Sequence, residues 1–440
     1  MKPSAGLATQ YAPPLDLPFR FMATALVWIG VLALVYPWHT PLLRGSFYDP
    51  HLLTFVHVNT LGVIAATVFG ASYQLLPVVL GIPIASVRLA RLSWWLYLPA
   101  LPLFLAGMAQ GWLVPLALGG ALLFGAVGLY VGIVVLTLRR ATQRDVVFWH
   151  LAVAVTGLAT AASLGLSLAF SKNGGFLGGW TLPILAAHAT LMLGGWLTPM
   201  LMGVAYRLVG MFTLSEDRLR ERWAWASLVA ASGGAWMLAI GLLAASRPLL
   251  LLGSFGLLAG IALFGAQLLH LYRVRRRRQF DVHIPFAVTG AAFGLLSAGL
   301  LLTGLIANRS AADPIWVAAG WLAIAGWAET PIQGFLYKIG TFLTWLHRYA
   351  PLAGRQPVPR LEDLYDQRTA VAGWAAWSSG VALGGLAALA QIDLLSYLAA
   401  AGLSLGALLF LSNAVRVGAR WRSVSVKPTT GVGLSSAASH

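Results

Sequence analysis

Gly62 to Gln74 reads GVIAATVFGASYQ, Gly195 to Arg207 reads GWLTPMLMGVAYR, and Gly326 to Lys338 reads GWAETPIQGFLYK. The three stretches share glycine, seven residues, glycine, two residues, tyrosine and a polar residue: Gly62, Gly70, Tyr73, Gln74; Gly195, Gly203, Tyr206, Arg207; Gly326, Gly334, Tyr337, Lys338. Gly195 follows Gly62 by 133 residues and Gly326 follows Gly195 by 131. Glycines on one helix face let backbones approach where lipid offers no hydrophobic drive for association. The Tyr and the Arg or Lys after them are expected to anchor at headgroup level.

The surroundings of each stretch are strongly apolar. The 440-residue chain is 59% hydrophobic and 10% charged, with mean hydropathy +0.78, against about 25% charged residues in soluble domains. Crossing a ~30 Å hydrocarbon core takes about twenty apolar residues of helix. Twelve such spans are expected, near 19–38, 52–80, 92–110, 112–138, 146–170, 180–206, 223–245, 248–272, 284–307, 314–345, 371–391 and 394–415. The repeated stretches fall in the second, sixth and tenth, so one repeat is four helices long. The predicted fold is an all-α polytopic membrane protein in three pseudo-threefold four-helix repeats. It forms a single membrane domain, 1–422, with repeats at roughly 15–145, 146–272 and 273–420, and a disordered cytosolic tail at 423–440. A six-plus-six transporter would instead repeat after half the chain.

The net charge of +16 does not point to nucleic acid, because the basic residues sit in short loops between spans. Alternating the loops puts 25 of the 29 Lys and Arg on one side and only Arg44, Lys172, Arg247 and Arg309 on the other. Basic residues concentrate in cytoplasmic loops, so both ends are expected inside a prokaryotic cytoplasmic membrane. Trp94, Trp95, Trp223, Trp225 and Trp421 lie near span ends, as an interfacial belt requires.

There is no cysteine, which leaves His, Met, Asp and Glu for any metal and excludes covalent haem attachment through thioethers. Of nine histidines, His39, His150, His270, His283, His347 and His440 fall at span ends, in loops or in the tail, where solvated or interfacial roles suit them. His57 and His188 lie inside the second and sixth spans, five residues before Gly62 and seven before Gly195. That offset is about 3 Å of depth, so two parallel helices offer imidazoles at one level. Each is either a cofactor or metal ligand or a buried histidine bonded to a neighbouring helix. His51 is about 240° around the helix from His57; it is a candidate ligand or propionate partner, and otherwise a boundary residue. Glu329, in the tenth span, is a candidate proton or polar site about 12 Å deeper than His57.

At this point the chain resembles the haem–copper oxidase subunit I superfamily, a twelve-helix fold in three arcs. His57, Gly62, Gly70 and Pro77, with His188, Ala189, Gly195, Gly203 and Arg207, resemble the second and sixth spans of a reduced, non-oxidase branch, the NnrS-like membrane proteins. The resemblance implies a b-type haem on His57, shared with His188 and His51, with copper as the alternative metal on His57 and His188. It further implies a role in nitric-oxide or oxygen response, electron transfer or haem and metal handling, and a respiratory-chain redox partner. The oxidase pattern needs paired histidines in the seventh span and a His-x-His in the tenth. Here the seventh has none, the tenth places Ala319 and Trp321 at the repeat-aligned positions, and Met192 stands four after His188. No terminal-oxidase chemistry is therefore expected. A proton-coupled permease without a cofactor, using Glu329, is the alternative reading.

Overall fold

The computed structural model describes residues 9–277 and 281–423, so the tail assigned to 423–440 lies outside the described residues beyond Ser423. Among the described residues all regular structure is helical. In chain order the long helices are α1 (Asp16–Arg44), α2 (Pro50–Leu80), α3 (Val87–Gln110), α4 (Leu113–Arg139), α5 (Val146–Lys172), α6 (Gly178–Thr213), α7 (Glu221–Leu243), α8 (Arg247–Arg273), α9 (His283–Ile306), α10 (315–349), α11 (Gln367–Ala390) and α12 (Asp393–Arg422). Their starts have local causes: the side chains of Asp49, Ser86, Asp145 and Asp366 each accept a backbone N–H of the first turn of α2, α3, α5 and α11. Gly81 and Gly111, both left-handed, close α2 and α3.

Eleven of the twelve are long and apolar enough to cross a membrane. Their outward positions remain apolar: Val27, Leu34, Val229, Ile240, Leu252, Phe255, Leu296 and Leu405 are all exposed. A water-soluble protein does not display such a belt, and the chain is a multi-pass helical membrane protein. The exception is α10, expected as a span. Glu329, Gln333, Lys338 and its threonines dilute its apolarity, and it can carry them because every residue from Ile324 to Ile339 is buried among other helices.

Packing follows the glycines. The closest-packed helix pairs are α3–α4, α7–α8 and α11–α12, where a Cβ on Gly107, Gly260 or Gly380 would lie 2.4, 2.4 and 2.7 Å from a backbone nitrogen of the partner helix. The paired glycines of the quoted stretches face the helix before them: Gly62 and Gly70 meet Trp28 and Phe21 of α1, Gly195 and Gly203 meet Gly157 and His150 of α5, and Gly326 and Gly334 meet Phe293 and Phe286 of α9.

In all three helices the α-helical turn widens to a π-helix, at Val58–Ala65, Leu191–Leu197 and Leu322–Glu329. A π turn shifts the hydrogen-bond ladder and leaves carbonyls needing partners. The partners are present. Tyr97 donates to the Leu61 carbonyl, Thr198 Oγ1 to Leu193 at 2.8 Å and Thr330 Oγ1 to Ala325 at 2.8 Å. The same threonine hydroxyls accept indole N–H groups, Thr198 from Trp327 at 2.8 Å and Thr330 from Trp377 at 3.0 Å. With the Phe69–Trp196 ring contact at 6.0 Å, these bonds join α2, α6 and α10 at the centre.

Two expectations change. Tyr73, Tyr206 and Tyr337 are not headgroup anchors: all are buried and bonded to Ser93, Ser227 and Asn413 of neighbouring helices. Lys338 is likewise buried, paired with Asp281. The interfacial role falls to other pairs, Arg20 over Trp94 and Trp95, Arg220 over Trp223 and Arg348 over Trp421.

Candidate functional site

His57 closes the α-helical start of α2, immediately before the π segment, and His188 lies three residues before the π segment of α6. His57 Nδ1 is 2.7 Å from the Leu53 carbonyl one turn back, and its ring stands edge-on to Phe104 of α3, centroids 5.4 Å apart. His188 Nδ1 is 2.8 Å from the Ala161 carbonyl on α5, a bond between helices rather than within one. Its ring fits against α5 only because residue 165 is glycine: a Cβ there would lie 2.7 Å from His188 Cε1.

These contacts set the chemistry of both rings. A backbone carbonyl accepts only from N–H, so Nδ1 carries the proton and Nε2 keeps its lone pair, the arrangement that metal-ligating histidines use. Both rings are half-buried, and neither Nε2 has a hydrogen-bond partner or is sealed from a probe. The two are within electrostatic reach of each other, and the ammonium of Lys172, at the end of α5, acts on His57 as well. Lys172 also lies over the ring of Tyr48, 5.6 Å from its centroid, which marks this end of the bundle as the side opposite the arginine-rich loops.

His51 does not join the pair; it is exposed in the first turn of α2, where its backbone N–H donates to Asp49. The repeat-aligned position on α10 is filled by Trp321, stacked on Phe55 at 6.0 Å and donating its N–H to the Val381 carbonyl at 3.0 Å. Among the described residues no three His, Asp or Glu side chains converge on a metal position, and any ligation here would rest on His57 and His188 alone. In ligand type alone, neutral imidazole nitrogens suit a haem iron and a copper ion equally.

Glu329 ends the π segment of α10 and is 1% exposed, with neither carboxyl oxygen bonded. Tyr36 of α1 is within its electrostatic reach, and the Tyr36 hydroxyl lies 3.5 Å from Asn59 Oδ1 on α2. It is thus separate from the histidine pair, on the other face of α2.

Two histidines expected at the interface are instead enclosed. His150 packs its ring against Tyr206 at 5.4 Å and into the notch left by Gly203. His283 lies 2.8 Å from the Asp281 carboxylate, which also holds the Lys338 ammonium. Burial raises the Asp281 carboxyl, but the adjoining His283 ring and the Lys338 ammonium outweigh it and hold it below the usual carboxylate range. This cluster was invisible in the sequence, since Asp281 reads as an ordinary loop acid. The Ala161 carbonyl and Gly165 were invisible for a similar reason, having no chemistry of their own.

No protein-family model matches the chain, and no curated protein matches its sequence.

Proposed function

We propose that the protein is a haem-binding membrane protein that holds a b-type haem between His57 and His188. In this reading the quartets α1–α4, α5–α8 and α9–α12 are three repeats of one unit, in the manner of haem–copper oxidase subunit I but without its copper and high-spin haem centre. The repeat rests on three recurrences: the tight third-to-fourth helix pair, the glycine face of the second helix on the first, and the π segment in that second helix. Basic loops put the arginine-rich side in the cytosol of a prokaryotic cell.

One observation carries the ligand assignment. On adjacent repeats, two imidazoles near one end of the bundle have Nδ1 tied to a carbonyl and Nε2 open. The haem would supply redox or gas-ligand chemistry, while the chain fixes the tautomers, orients the rings and surrounds them with apolar side chains that tune potential. Such a centre suits nitric-oxide or oxygen response, electron transfer to a respiratory partner, or haem and metal handling. The test is a pyridine haemochrome assay with metal analysis on purified protein. A Soret band that is lost in both His57→Ala and His188→Ala supports the assignment. A protein that is colourless after expression with ample haem, or a band unchanged in His57→Ala, overturns it; copper without haem would move the site to the copper reading.

A further inference from the structure

We propose that Glu329 is a proton-exchange site inside the bundle, reached from the arginine-rich side along one face of α10 through Gln333 and Tyr337. Glu329 ends a π segment at the position that the glycine frame aligns with Thr198 of α6, and the Thr-Pro pair, Thr198-Pro199 on α6, falls one residue later on α10, at Thr330-Pro331. A residue there for packing alone would be apolar, since an enclosed polar group without a partner is costly. Both Glu329 oxygens are enclosed and unbonded, and among the described residues no Lys or Arg pairs with them.

The route is read from the same helix. Gln333 and Tyr337 follow at four-residue steps, so all three lie on one face. Gln333 is 1% exposed with its Nε2 unbonded, an amide aimed at no protein acceptor halfway along the path. Tyr337 lines a small recess at the arginine-rich end, together with Asp281, Lys338, Thr341, Glu362 and Tyr365. From Glu329 to Tyr337 is about 12 Å along the axis, with Gln333 midway. The transfer is elementary: the Glu329 O–H bond breaks, its proton passes to a water in this track, and the carboxylate regains a proton by the same path. Of the elements packed around Glu329, α1 contributes Tyr36 within electrostatic reach. On α2 and α6, His51, His57 and His188 lie toward the opposite end, while Tyr73, Tyr206 and Arg207 lie with His283 of α9 and Arg368 of α11 at the arginine-rich end.

The experiment is infrared spectroscopy of the full-length protein in detergent at pH 7, where a protonated carboxyl absorbs apart from ionised ones. The expected result is one carboxylic-acid band that disappears in Glu329→Gln, shifts in Glu329→Asp, and downshifts within the mixing time in D2O. Gln333→Leu should slow that isotope shift about tenfold or more. No acid band in the wild type, or one indifferent to both Glu329 variants, overturns the site. An isotope shift as fast in Gln333→Leu as in the wild type overturns the route. None of these readings depends on haem.

Discussion

Gly165→Ala tests the histidine pair without touching either histidine. The new Cβ would stand 2.7 Å from His188 Cε1 and 3.0 Å from Nδ1, whereas carbon contacts settle near 3.5–4.0 Å, so the ring must withdraw by about 1 Å. The ring is the end of a side chain and moves more readily than two packed backbones. Nδ1 now sits 2.8 Å from the Ala161 carbonyl; a retreat of that size takes the pair to about 3.8 Å and ends the hydrogen bond. The loss in stability is about 0.5–1.5 kcal/mol, roughly offset by the 0.5–1 kcal/mol gained by replacing a helix glycine, so the bundle stays folded. The loss in ligation is larger. Metal–ligand distances tolerate about 0.2 Å, and removing the partner that orients a ligating histidine costs about 10–100-fold in affinity. We therefore expect Gly165→Ala to fold normally, bind haem about 10–100-fold more weakly, and show a shifted Soret band in titrations of apoprotein with haem. Gly128→Ala, whose Cβ meets nothing within 4 Å, is the control. A haem titration and spectrum for Gly165→Ala that match wild type would refute His188 as a residue that would hold the haem.

Other perturbations test the frame. Gly157→Ala should be much worse tolerated than Gly165→Ala, because its Cβ would lie 2.3 Å from the backbone oxygen of Gly195 and neither helix can yield by a rotamer change; thermal unfolding in detergent should show a loss of about 1–3 kcal/mol or more. Trp327→Phe removes the donor to Thr198 Oγ1 and should cost about 0.6 kcal/mol, the average for such bonds in membranes, while Thr198→Val strands the enclosed indole N–H and should cost about 1–3 kcal/mol; equal losses in a double-mutant cycle would contradict the pairing. Asp281→Asn breaks an enclosed ion pair with Lys338 and should destabilise by about 3–5 kcal/mol at pH 7. Because the Asp281 carboxyl is held below its usual value, its contribution is complete above about pH 4, the unfolded value, and fades only as pH falls through the lowered one; a wild-type stability curve that already drops between pH 7 and 5, and loses that drop in Asp281→Asn, would contradict this sign. His51→Ala should leave haem content unchanged, since the exposed ring makes no contact with the pair.

What the sequence disclosed and what it hid divide along a physical line. Span positions and the 133- and 131-residue spacing were legible because apolar length and glycine periodicity are properties of side chains at known intervals. The burial of Tyr73, Tyr206, Tyr337 and His150 was not legible, because whether the end of a span meets lipid headgroups or another helix depends on which neighbours cover it. The π segments were hidden too. Gly62 and the β-branched Val58, Thr60, Val63 and Ile64 weaken a helix without favouring a π turn over an α turn, and the widened turn persists through partners supplied from elsewhere, such as Tyr97 on the Leu61 carbonyl.

The π segments also bear on how three similar helices present His57, His188 and Trp321. In α2 the α-helical ladder breaks right after His57, so the ring is aimed by the last regular turn, through Leu53. In α6 the break comes three residues after His188, and the ring takes its orientation from α5 instead. In α10 the aligned position is Trp321, pinned by Phe55 and the Val381 carbonyl, and the ionisable residue appears a π segment later, as Glu329. A third imidazole in place of Trp321 would have to give up that indole bond, and it would meet α11 at Gly384, where a Cβ would already lie 2.6 Å from the indole nitrogen. Trp321→His should therefore lose stability without adding a metal ligand. Zinc or copper titration of the variant with the same stoichiometry as wild type is the expected result, and an added high-affinity equivalent would show that the third repeat is only one substitution away from a three-histidine centre.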